Sequence, residues 1–175
     1  MININCWRIT KYNPNNRNKN GNYVKDDWTS VYDICKSFDG IRLTRDSYLL
    51  YENAYVNTIA KIMFINRQEI IKVEELEKRD FVYYSDLAEM NAYNVYKSLK
   101  NNMAILSQEV ELVELIVRLI LRDIIWCKLI GKTMFIHFGY DYYMYIGSEK
   151  SLSDVLLEDI KRDGLFVEVM SSPYL

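Results

Sequence analysis

His137 is the chain's single histidine, so any Ser-His-Asp or Cys-His relay has to be built on it. It lies within Met134–Phe138, an apolar run of strand type, and alternation turns it away from Ile136 and Phe138, toward the side of Phe135. No serine stands in a nucleophile-elbow context beside it, which favours a structural or surface histidine over a small enzyme using His137. Carboxylates are abundant but form no constellation. Glu74, Glu75 and Glu77 fall in a charged run of the kind that usually forms a solvated face, and Glu111 and Glu114 suit the positive start of a helix. A hydrolytic pair needs two carboxylates held at a set separation, which spacing alone does not supply. Neither a GxxxxGKS loop nor a GxGxxG turn occurs. Cys6, Cys35 and Cys127 are odd in number, widely spaced and without a C-x-x-C, so neither a disulfide framework nor a zinc site is expected. The expectation is a protein without catalysis, metal or cofactor.

Binding chemistry is better represented. Fifteen tyrosines are present, several of them in Gly139–Tyr145, GYDYYMY. Alternation sends Tyr143 and Tyr145 to one face and Tyr142 and Met144 to the other, with Asp141 at the tip. Tyrosine offers large contact area at low entropy cost and keeps a hydrogen-bonding end, which suits interfaces; amphipathic core filling in a chain rich in Tyr, Asn, Ile and Lys is the other reading. Asp26-Asp27-Trp28 places an acidic pair beside a large aromatic, a shape suited to a basic partner. Its alternative is a tryptophan that anchors a loop while the acids serve the next helix. Trp28 and Tyr142 are therefore candidate anchors and Asp26, Asp27 and Asp141 candidate cation contacts, with Glu74, Glu75 and Glu77 in reserve.

These residues sit in a chain of 175 residues, 50% hydrophobic, 14% aromatic and 26% charged, with two prolines and six glycines. That is the composition of one globular domain, 1–175, which buries roughly 70% of its unfolded surface and needs no staples. A net charge of −2 excludes a generic nucleic-acid coat, whose affinity rests on surplus cations. The first 25 residues are locally basic, with five cations and no acid. They read either as a solvated basic loop or as a weak phosphate or acidic-partner contact. The start, MININCWRIT, has no basic and apolar leader pattern. Val110–Ile130 is the most apolar stretch, but Glu111, Glu114, Arg118, Arg122, Asp123 and Lys128 make it costly in lipid. A cytoplasmic protein without membrane contact is expected.

The pattern that must position the candidates is α+β: a helical middle packed on a small, mostly antiparallel sheet made from both ends of the chain. Residues 4–12 alternate as a strand, and Asn13–Lys25 forms an exposed loop of turn formers. VYDICKSF is expected as a short helix capped by Thr29 or Ser30. Thr44 caps a longer helix over about 45–66, whose face carries Tyr48, Tyr51, Ala54, Tyr55, Ile59, Ile62 and Met63. Glu52 flanks that stripe and is expected to be exposed, with a buried, paired carboxylate as the alternative. Ile70–Val73 suits a strand, and the following EELEKRD suits helix or turn. Ser85 caps a helix to about Leu99, and Ser107 begins another, with 125–130 as its continuation before a break at Gly131. Met134–Phe138 and Tyr142–Ile146 form a hairpin around Gly139-Tyr140-Asp141. A helix capped by Ser151 or Ser153 ends at Gly164, and Leu165–Met170 is a last strand.

WRITKYNP at 7–14, DDWTSVYDI at 26–34 and HFGYDYYMYIG at 137–147 together resemble a group of small bacterial proteins, mostly from Firmicutes. Some of these look like cytoplasmic immunity proteins that neutralise a cognate secreted toxin. The resemblance covers both ends of the chain, about half of it, and leaves the helical middle unmatched. It implies a stoichiometric binder whose partner is a toxin domain, with no direct nucleic-acid contact. A mobile-element inhibitor of a host defence complex is the alternative. Within these strings Trp28, Asp33, Gly139, Asp141 and Tyr143 serve equally well as determinants of the fold.

Overall fold

The structure, a computed structural model, describes residues 4–174. Alternating apolar residues build an antiparallel sheet of seven strands: β1 (Asn5–Thr10), β4 (Ile70–Lys78), β5 (Ala104–Leu106), β6 (Ile125–Gly131), β7 (Met134–Phe138), β8 (Met144–Ser148) and β9 (Phe166–Val169). Their order is β5-β4-β6-β7-β8-β1-β9, so the first strand lies between the two last ones. A two-residue ribbon of β2 (Ser37–Phe38) and β3 (Ile41–Arg42) stands apart. The helices are α1 (Arg45–Asn66), α2 (Ser85–Glu89), α3 (Ala92–Ser98), α4 (Val110–Leu121) and α5 (Asp154–Arg162). The fold is α+β, and the middle of the chain supplies strands as well as helices.

Register sorts the side chains by face. Ile9 opposes Met144, Ile136 opposes Ile146, and Leu129 is paired with both Val73 and Ile136. This row forms one buried cluster with Tyr55, Ile59 and Ile62 of α1 and Ile116 and Leu119 of α4. The opposite face carries Arg8, Tyr145, His137, Phe135, Lys128 and Trp126, and the C-terminal residues Ser172 and Tyr174 lie across its centre. There Phe135 covers Gly147 so closely that a Cβ would come within 2.0 Å of its ring. Among the described residues no helix is long and apolar enough to cross a membrane.

Side-chain caps open α1 and α5, whereas α3 and α4 begin without one. Thr44 accepts from the Ser47 N–H and opens α1, Ser153 accepts from the Leu156 N–H and opens α5, and Ser30 forms a capping box with Asp33. Three helices end alike, with paired N–H bonds that reach back into the last turn. Gln68 to Met63 and Arg67 to Phe64 close α1; Ile124 to Leu119 and Asp123 to Ile120 close α4; Leu165 to Ile160 and Gly164 to Lys161 close α5. The left-handed residue is Arg67, Asp123 and Gly164 respectively.

Several local expectations are corrected. VYDICKSF yields only a 3-10 turn, Val31–Asp33, before the β2–β3 ribbon. The Ser85–Leu99 segment breaks into two helices at Asn91, whose φ is 58°. EELEKRD is neither helix nor turn: β4 continues to Lys78 through a bulge at Glu75, which returns Glu77 to the face shared by Glu74. Residues 125–130 leave the helix at Asp123 and become β6, with Ile125, Cys127 and Leu129 inward. Glu52 is fully buried. Arg118 of α4 and Arg122, the residue that follows it one turn on at the helix's C-cap, reach across to its carboxylate at 2.7 Å, and Arg122 also holds Asp86 at 2.6 Å.

Candidate functional site

The β7–β8 turn lies at one end of the sheet. Gly139 donates to the Tyr143 carbonyl and Tyr143 to the Tyr140 carbonyl, and both Asp141 and Tyr142 have left-handed backbone, φ 56° and 62°. This is the primed turn whose twist matches a right-twisted hairpin. A tyrosine in that region carries backbone strain, and its surroundings hold it there. The Tyr142 hydroxyl donates to the Leu121 carbonyl at 2.9 Å, and the ring packs with Trp28, Tyr48 and Tyr55. Trp28 is 6% exposed and Tyr142 7%, so neither is presented to a partner as a surface anchor. They are instead the internal joint between the 26–30 segment and the hairpin. Asp141, at the tip, is exposed.

Behind the joint sits Lys11, also buried. Its ammonium is 4.1 Å from the ring centroids of both Tyr12 and Trp28 and 2.9 Å from an Asp27 oxygen. Burial, opposed by Asp27, pushes this ammonium down to about 8. Asp27, half-buried, is therefore committed to Lys11, while its neighbour Asp26 is exposed. The basic character of the first 25 residues is partly spent in the same way. Arg8 and Arg17 both pair with Glu168, at 2.9 and 3.3 Å, and Arg17 also donates to the Tyr143 hydroxyl, pinning an otherwise largely exposed loop.

Beside the turn a cleft of about 480 Å³ opens between β4, β6, the end of α4 and the C-terminal segment. Trp126, Tyr140 and Tyr174 supply its rings, and Glu77, Asp123 and Asp141 its carboxylates. Arg79 pairs with Asp123. Thr29 and Ser30 line the cleft with the hairpin tip and Glu77, whereas Asp26, Asp27 and Trp28 do not line it. Glu74 and Glu75 do not join them. Glu75 pairs with Lys128 at 2.8 Å further along the sheet, and Glu74 stands opposite Lys128 in the β4–β6 register. Trp126, Asp123 and Tyr174 escape pattern reading, because their meeting depends on β6 being a strand and on the path of the C-terminal residues. Tyr140, 83% exposed, lies in the tyrosine-rich string already singled out.

His137 is shut in. Its Nδ1 lies 2.8 Å from the Ser172 hydroxyl, its ring stacks on Phe135 at 4.4 Å, and Tyr174 meets it edge-on. Burial, with the Lys128 charge, lowers it to about 4. Among the described residues no group of three or more His, Cys, Asp or Glu side chains is placed to hold a metal ion. The chain matches no family model, no curated protein and no solved structure.

Proposed function

We propose that this protein is a non-catalytic binder of the immunity type, which neutralises a cognate bacterial toxin in the cytoplasm by direct, stoichiometric occlusion. The observation that carries this reading is the cleft at the sheet's end, where Glu77, Asp141 and exposed Tyr140 are gathered from distant parts of the chain. Aromatic area ringed by carboxylates, on a rigid hairpin, is the chemistry that meets a basic protein surface. Occlusion of this kind generally buries about 1,200–2,000 Å² and concentrates its energy in a few side chains. The contact residues on this reading are Asp26, Asp141, Glu77 and Tyr140. Trp28 and Tyr142 support them from within, and Asp27 acts through Lys11. The partner is a protein; neither a cofactor nor a nucleic acid takes part.

The test is a pull-down from source-cell lysate that includes the product of the adjacent gene, followed by co-expression of whatever is captured. A one-to-one complex whose captured member stops growth alone and loses that toxicity on co-expression supports the reading. Failure of every candidate to bind at micromolar concentration, or toxicity that persists in the complex, overturns it.

A further inference from the structure

Cation, aromatic ring and carboxylate recur together through this molecule. Lys11 stands over Tyr12 and Trp28 with Asp27 beside it. Arg8 and Arg17 stand over Tyr143 with Glu168 between them. Arg122 stands over Tyr84, held by Glu52 and Asp86. In each, the ring's negative face and the carboxylate oppose the same positive group, an arrangement that strengthens as water is excluded.

The cleft at the end of the sheet has the ring and carboxylate parts of that arrangement on a larger scale. Trp126, Tyr140 and Tyr174 present rings, and Glu77 and Asp141 present carboxylates that form no ion pair among the described residues. No Lys or Arg among the described residues stands over any of these three rings, and Arg79 is drawn off to Asp123. Trp126 is oriented by its own hydrogen bond, Nε1–H to the Phe138 carbonyl at 2.8 Å, and Tyr174 packs against it at 6.1 Å. The β4 bulge at Glu75 turns Glu77 toward Trp126, its register partner on β6.

We infer that this cleft is a receptor for an arginine side chain supplied by the partner protein. A guanidinium lies flat on an aromatic ring while its edge donates to carboxylates, and it sheds water more readily than an ammonium does. Two carboxylates on different elements, lining one cleft together with three rings, match that shape better than they match a point charge. The inference rests on the binder reading and specifies what its partner must offer: an exposed arginine whose loss frees the partner from this protein.

The probe is a capped Gly-Arg-Gly peptide titrated into the isotopically labelled full chain and followed by amide and indole NMR, alongside its citrulline and lysine counterparts. Saturable shifts at the Trp126 indole N–H and the Tyr140 and Asp141 amides are expected. The citrulline peptide, neutral and of the same shape, binds at least tenfold more weakly, and the lysine peptide severalfold more weakly. Glu77→Gln combined with Asp141→Asn abolishes the shifts while the rest of the spectrum stays in place, since Asn tolerates the left-handed turn position. Shifts that do not saturate, that citrulline or lysine reproduces at equal strength, or that survive in the double variant overturn the assignment. The two readings fail separately. A captured toxin that binds the double variant at full strength removes the arginine receptor and leaves the binder, whereas a peptide that binds while no toxin is neutralised does the reverse.

Discussion

Trp28 and Tyr142 meet edge to face with ring centroids 4.9 Å apart, and this contact joins two segments separated by most of the chain. It holds the hairpin tip, with its left-handed tyrosine, against the strand-to-helix segment that lines the cleft. Trp28→Ala is expected to destabilise by about 3–5 kcal/mol, the range for removing a buried large aromatic. Tyr142→Phe keeps the ring and removes the bond to Leu121, at a cost of about 1–2 kcal/mol. Urea unfolding reads both. A Trp28→Ala variant as stable as the parent removes the joint from this account.

Arg122 and Glu52 are both buried, and losing Arg122 leaves the Glu52 carboxylate with Arg118 alone. Arg122→Met is expected to cost about 3–5 kcal/mol, and adding Glu52→Leu to recover part of it, because an apolar pair is better tolerated than a buried carboxylate that has lost one of its two arginines. A double variant less stable than Arg122→Met alone contradicts this. Asp86 belongs to the same network. Burial alone would raise its pKa, but the hydrogen bonds and charge of Arg122 and the charge of Arg45 lower it overall. Its stabilising share is present above the ordinary aspartate range and is lost as pH falls through the lowered native value.

Lys11 titrates near 8 in the native protein and near 10.5 when unfolded. Between these values the unfolded chain holds the extra proton, so stability rises with pH across the window and the full burial penalty is present below it. The Asp27 contact and the charges of Asp141 and Asp33 soften the penalty without cancelling it. Lys11→Met is expected to be more stable than the parent near neutral pH, with the difference closing as pH climbs from about 8 toward about 10.5. Denaturation midpoints at several pH values test this; a constant difference refutes it.

His137 takes up its proton less readily than an exposed histidine does. Its native value near 4 lies below the ordinary 6.5, so stability is lost as pH falls through that interval, when the unfolded chain takes up the proton first. His137→Gln is expected to reduce the loss between about pH 7 and pH 5 by roughly 1–2 kcal/mol, while leaving partner binding intact at neutral pH. Loss of partner neutralisation in this variant, with the fold retained, would direct attention back to the histidine as a functional group.

Where local chemistry dictates local structure, reading the chain succeeds. Thr44 and Ser153 open helices because a side-chain oxygen satisfies an orphan N–H, and Gly164 closes one because it enters left-handed backbone without a Cβ clash. The same reasoning misses the end of α4. The motif there is the same, but Asp123 fills the left-handed position, so no glycine marks the place where helix gives way to β6.

The alternation of Met134–Phe138 and the tyrosine string, and the candidacy of Asp141 and Glu77, were all present in residue types and spacing alone. Tertiary structure decided which of those residues face outward. Trp28, Tyr142 and Asp27 carry the same chemistry as Asp26, Tyr140 and Asp141, yet long-range packing took Trp28 and Tyr142 into the interior and paired Asp27 with buried Lys11. It also sent Glu52 to the arginines of α4 and brought Trp126 and Tyr174 beside Glu77. The reason is physical: periodicity reports which face of an element is apolar, but burial of a polar or amphipathic side chain depends on whether a distant segment arrives with the matching group.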